Sequence, residues 1–289
     1  MGLSNYEVSA VMLCQYICNS FGLLGVILVS ILYIGYRNIR VFAFKLVLCL
    51  ALSSGGYSIG LLMGPSDGVS CYIQGTIISY FSISSVLWLL IIVHSLKAVV
   101  IDRSSPEKNF KKYLILALSF PVLTSFIPAF TQTYSRTDLG MCWVSGHSSS
   151  GTALILLQIW FLLLFGFIYT AYYSYKLYKS AQKIRNERQE SLEVLKYYNR
   201  LKYFTLLIFL AWFFPFINTL ALISDPNSPS LTLILLHSIS SGLLGVFILA
   251  AFIKDHAVYE SLIDTFSGCL PCLIKKKKKT NKLELSPRV

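Results

Sequence analysis

The sequence predicts an all-α fold: a bundle of seven transmembrane helices followed by a short amphipathic C-terminal helix. Three observations carry that prediction. Of the 289 residues 55% are hydrophobic and only 13% charged, with a mean hydropathy of +0.64, which is far from an ordinary soluble domain. Seven stretches reach the roughly 20 apolar residues that a helix needs to cross a hydrocarbon core about 30 Å thick. The cations fall in alternate connections between those stretches.

Taken in order, the first stretch covers 8–36 and carries no charged residue; without a cationic leader before it, it is expected to insert itself uncleaved. The second, 41–63, has Lys45 in its first turns, where a long side chain reaches back to the headgroups. The third covers 71–95, the fourth 113–131 with Pro121 and Pro128 inside it, and the fifth 151–175. The sixth, 203–224, contains Pro215, whose ring removes a backbone hydrogen bond and makes a candidate hinge. The seventh is 231–253. Between the fifth and sixth, "YKLYKSAQKIRNERQESLEVLKYYNRLKY" lacks Pro and Gly and reads as a solvated helical extension. After the seventh, "KDHAVYESLIDTFSG" places Val258, Tyr259, Leu262, Ile263 and Phe266 on one face of an amphipathic helix.

Cation-rich connections stay in the cytoplasm. Every Lys and Arg except Arg136 lies in the first, third or fifth connection, in the tail or, for Lys45, in the first turns of the span that follows the first connection, so the N-terminus is expected outside and the C-terminus inside. A span count wrong by one would mix the two sets. The net charge of +12 alone would suit nucleic acid, but the apolar runs exclude that partner.

None of the acidic residues lies at membrane depth, and the seventh span has no lysine. Ion-coupled carriers hold charges at the midplane, and a retinal pigment needs a Schiff-base lysine. His94, His147, His237 and His256 show no metal-ligand spacing. No enzyme, cofactor or metal site is therefore expected. A seven-helix solute carrier or channel remains the alternative, and paired half-repeats, which would support it, are absent from the sequence.

Cys14, Cys18 and Cys49 fall inside the first two spans, while Cys269 and Cys272 follow the last on the reducing side. Cys71 and Cys142 are the two left on the outer, oxidising side, which predicts a disulfide between the third span and the second outer connection, two unrelated thiols being the alternative.

Seven helices, an outer N-terminus and that bridge together describe a G-protein-coupled receptor. The stretches "CYIQGTIISYFSISSVLWLL", "FPVLTS", "CWV", "RLKYFTLLIFLAWFFPFIN" and "LHSISSGLLGVFILAAF", in this order, resemble the cyclic-AMP-receptor-like family of slime moulds. The Asp-Arg-Tyr and Asn-Pro-x-x-Tyr signatures of rhodopsin-like receptors are missing, and Trp212 and Pro215 stand one residue too far apart for that family's switch.

The resemblance implies an extracellular small-molecule or peptide ligand and a heterotrimeric G protein. On this reading 1–7 is a short extracellular N-terminus, 8–253 the receptor domain, 254–267 the cytoplasmic amphipathic helix and 268–289 a basic tail. With no separate ligand-catching domain, the ligand meets the bundle mouth, where Gln74, Tyr80, Trp143, Gln158, Trp212 and His237 are the candidate contacts. Each also has a plainer role in helix packing or as an interface anchor. Arg136 is the one cation on that side, too little for a phosphate-bearing ligand such as cyclic AMP. Arg37, Arg40, Lys183, Arg185, Arg200 and Lys202 are the candidate G-protein contacts. Cys269 and Cys272 are placed for palmitoylation, and Lys275 to Lys279 for anionic lipid of the inner leaflet.

Overall fold

A computed structural model describes residues 4–64, 67–137, 141–144, 162–186, 192–224 and 230–269. The chain folds as a seven-helix membrane bundle. The helices are α1 (Asn5–Gly35), α2 (Phe42–Leu62), α3 (Val69–Val100), α4 (Phe110–Phe130), α5 (Phe165–Asn186), α6 (Leu192–Leu201), α7 (Phe204–Ser224), α8 (Leu231–Gly242), α9 (Leu244–Ile253) and α10 (His256–Cys269). Among the described residues five helices are long and apolar enough to cross a membrane singly, and α8 with α9 form a sixth span bent by 44°. The outer part of the fifth span, with Gln158, lies outside the described residues.

Local chemistry explains where the rods begin and end. Ser4 caps α1: its hydroxyl accepts the Glu7 N–H at 3.4 Å while the Glu7 carboxylate accepts the Ser4 N–H at 2.8 Å. At the other end, the Arg40 guanidinium donates to the carbonyls of Tyr33 and Ile34 and satisfies the last turn. The α2–α3 turn uses positive φ at Gly64 (+78°) and Gly68 (+58°), which residues with a Cβ rarely adopt.

α3 is the central rod. Its most apolar window is 72% buried within the protein, against 33% for α1 and α4, which instead expose Leu13, Leu24, Ile115 and Leu123 in positions suited to lipid. Around Trp88, Ile92 and Leu96 of α3 pack Phe44 and Leu50 of α2, Phe204 of α7 and Phe252 of α9, all fully buried. Phe44 and Phe252 meet edge to face at 4.8 Å.

Two features add to the arrangement read from the sequence. A two-stranded hairpin, β1 (Tyr134–Arg136) with β2 (Cys142–Val144), covers the start of α3. The sharp bend falls at Leu243 in the seventh span, whereas α7 runs through Pro215 as one helix. Beside that bend Gly22 and Gly25 of α1 face Gly242 and Gly245 at backbone distance. A Cβ built on Gly25 would lie 2.6 Å from the Gly245 carbonyl oxygen.

Candidate functional site

One end of the bundle carries the disulfide, the other the cationic connections. At the first, Cys71 of α3 and Cys142 of β2 are bonded, with Cα atoms 5.2 Å apart. One turn further along α3, the buried Gln74 amide donates to the carbonyls of Gly60 (3.2 Å) and Gly64 (2.9 Å) and accepts the Cys142 N–H (3.0 Å). Gln74 therefore joins α2, α3 and β2. Tyr134 of β1 lies against Gly75, where a Cβ would meet its ring at 2.6 Å, and its hydroxyl donates to the Ser125 carbonyl at 2.9 Å. Arg136 pairs with Asp67 at 3.2 Å in the open. Trp143 is half-buried between the hairpin and the main core, and Tyr80 packs edge to face on Phe81 at 5.0 Å.

Deeper in the bundle, a neutral polar cluster links three spans. The Tyr57 ring of α2 meets Trp212 of α7 edge-on at 5.7 Å, and its hydroxyl donates to Ser241 of α8 at 3.4 Å. The Ser241 hydroxyl donates to the His237 carbonyl at 2.8 Å, and the Asn218 amide of α7 lies 3.2 Å from His237 Nδ1. Trp212 is only 6% exposed, and its indole N–H has no hydrogen-bond partner among the described residues. Such an orphaned donor costs about 1–3 kcal/mol. The cluster offers hydroxyls, an amide, an imidazole and an indole. Its indole N–H is left able to donate a hydrogen bond.

Of the residues expected at the mouth, Trp212 and His237 belong to this cluster, Gln74 is engaged in the architecture, and Tyr80 and Trp143 lie apart from it in the contacts described. Tyr57, Asn218 and Ser241 were missed. Their signal was present, as polar side chains inside apolar spans, but serines and amides so commonly bond between membrane helices that composition could not single them out.

At the cationic end, the sixth span is fastened to its neighbours. The Tyr197 hydroxyl of α6 shares a hydrogen bond with that of Ser95 on α3. Arg200 of α6 pairs with Asp255 at 3.5 Å, the two side chains 24% and 10% exposed, and its guanidinium lies 5.7 Å from the Phe44 ring. Asn38, after the first span, donates to Ser261 of α10 at 2.7 Å. Arg40 and Arg200 thus contact groups within the chain, and Arg37, Arg40, Lys183 and Arg185 are exposed. Lys202 is half-buried over tyrosine rings. Cys269 ends α10; Cys272 and Lys275 to Lys279 lie outside the described residues. Among the described residues no three His, Cys, Asp or Glu side chains gather as a metal site.

A family model described as slime mold cyclic AMP receptor matches residues 3–268. The chain belongs to this family. Its relatives include "G-protein coupled receptor 1" of Arabidopsis thaliana, 26% identical over 88% of this chain and 80% of that protein. "Cyclic AMP receptor-like protein A" of Dictyostelium discoideum is 24% identical over 75% of this chain and 57% of its own length. "Cyclic AMP receptor-like protein G" of the same organism is 27% identical over 42% of this chain and 26% of its own. Squid rhodopsin superimposes with a TM-score of 0.74 at 14% identity, covering 100% of this chain and 94% of that one, which establishes the shared fold. This member of the slime mold cyclic AMP receptor family is therefore a multi-pass membrane protein of the G-protein-coupled receptor type, with the Cys71–Cys142 bridge in place.

Proposed function

We propose that this chain senses an extracellular ligand and activates a heterotrimeric G protein, with its disulfide end outside and its cationic end in the cytoplasm of the plasma membrane. The observation that carries the proposal is the span of the sixth helical unit. α7 brings Trp212 and Asn218 into the buried polar cluster, and α6, at its cationic end, holds Tyr197 and Arg200 against α3 and Asp255. A ligand drawing on the Trp212 N–H would act on the same unit whose other end meets a partner. Pro215 lies between Trp212 and Asn218 and is the hinge on this reading; the Thr219 hydroxyl donates to its carbonyl at 2.9 Å.

The ligand is proposed to be neutral or cationic and not cyclic AMP, because the sole outer cation, Arg136, is already paired with Asp67. On the inner face Arg37, Lys183 and Arg185 supply an exposed cationic surface for the G protein. The amphipathic α10, with Cys269 and Cys272 palmitoylated and the lysine run beyond them, is proposed to lie on anionic lipid.

The test is guanine-nucleotide exchange on added G protein while a ligand library is screened. Once a ligand is found, Trp212→Phe, which removes the N–H, is expected to raise the concentration for half-maximal response by about tenfold. A full library without stimulated exchange, in protein that retains its disulfide and unfolds cooperatively, would count against the receptor reading.

A further inference from the structure

The cationic end carries several lysines lying over tyrosine rings, and one ring differs from the others. On α5, Lys176 lies 4.5 Å from the Tyr172 centroid and Lys179 lies 5.3 Å from that of Tyr175, one cation to each ring. Tyr203, at the junction of α6 and α7, receives two. Lys202 Nζ is 5.1 Å and Lys254 Nζ 4.9 Å from its centroid. They come from different spans, since Lys202 precedes the sixth and Lys254 follows the seventh.

Those distances hold the two ammonium groups at most about 10 Å apart, about the Debye length of 0.1 M salt. Neither is in an ion pair among the described residues. The neighbouring carboxylate, Asp255, is turned to Arg200. Lys202 also donates to Asn199 Oδ1 at 3.1 Å, a neutral partner that leaves its charge uncompensated. Tyr203 is 37% exposed.

Along α7 the same face continues as Leu206, Leu210 and Phe213, at helical spacing and 53%, 52% and 45% exposed. Two cations over an aromatic floor, opening onto an apolar stripe, match a molecule with an anionic head and an apolar body. A free phosphate would leave the stripe unused. Basic recesses between membrane helices on the cytoplasmic side are a known setting for headgroups.

We propose that Lys202, Lys254 and Tyr203 bind the phosphate headgroup of an anionic membrane lipid whose acyl chains lie along Leu206, Leu210 and Phe213. A lipid held there would join the two spans that Arg200 and Asp255 already connect. The proposal rests on the reading that this end faces the inner leaflet. Its test is independent of orientation and of G-protein activation, so the two fail separately.

Full-length protein in detergent is titrated with phosphatidylinositol 4-phosphate against phosphatidylcholine, and bound lipids are counted by native mass spectrometry. The wild type is expected to retain one anionic lipid more tightly than the rest. Lys202→Gln with Lys254→Gln is expected to weaken that lipid by roughly tenfold or more, Lys202→Arg with Lys254→Arg to retain it, and Lys176→Gln with Lys179→Gln, equal in charge change, to alter it less than about twofold. Equal losses in the two Gln pairs, or no loss in either, would overturn the site. Displacement of the lipid by inorganic phosphate at comparable concentration would overturn the lipid assignment. Should the Gln pair fail to fold, a photoactivatable phosphatidylinositol phosphate on wild-type protein must label 199–213 for the proposal to stand.

Discussion

Gln74 has two amide hydrogens and a carbonyl oxygen, and all three groups meet backbone: the carbonyls of Gly60 and Gly64 and the N–H of Cys142. In a fully buried position each of these would otherwise lack a partner. Gln74→Ala is therefore expected to lower stability by roughly 2–4 kcal/mol, read as a fall in unfolding temperature in detergent. If the fall matches that of an exposed substitution such as Gln182→Ala, the clamp is not structural. A lone glutamine near a helix end looks the same in a sequence whether it awaits a ligand or holds two loops together. Only the positions of the Gly60, Gly64 and Cys142 backbone separate the two. Trp212 is the opposite case, since its buried N–H has no hydrogen-bond partner among the described residues.

At the scale of elements, the α1 contact with the bent seventh span depends on four glycines. A Cβ on Gly25 would press on the carbonyl of Gly245, which belongs to a helix backbone and has nowhere to move, whereas one on Gly35 would meet nothing within 4 Å. Gly25→Val is expected to destabilise by about 1–3 kcal/mol or more, and Gly35→Ala to stay within about 1 kcal/mol of wild type, both measured by denaturation in detergent. Similar losses from the two would show that α1 is not seated as described. The glycines are visible in the sequence, but their pairing is not, because they are some 220 residues apart and no periodicity connects them. The hairpin was unpredicted for a related reason: its strands are three residues each, too short for an alternating pattern to register.

Across the whole molecule, the sixth span is held at both ends, by the neutral cluster around Trp212 and by the Arg200–Asp255 and Tyr197–Ser95 contacts. Partial exposure screens the ion pair, leaving it about 1 kcal/mol. Removing it with Arg200→Ala is expected to release the cationic end of α6 and raise ligand-independent nucleotide exchange about fivefold. Unchanged basal exchange, in a variant still expressed at the membrane, would mean that this contact does not restrain activation. Asp255→Asn should act in the same direction, since it weakens the same pair.

The number of spans, their order, which connections share one end of the bundle and the cysteine pair that bridges were readable from the residues alone. Lipid imposes a length on every apolar run, and the positive charges respond to a single membrane potential and leaflet, so one dimension of information suffices. Which polar side chains face one another inside the bundle, where the seventh span bends, and which arginines have partners depended on the packing of rods distant in sequence. Those contacts are set by rotation and depth of each helix to within about a side chain's width, and an apolar span of nearly uniform composition carries little record of either.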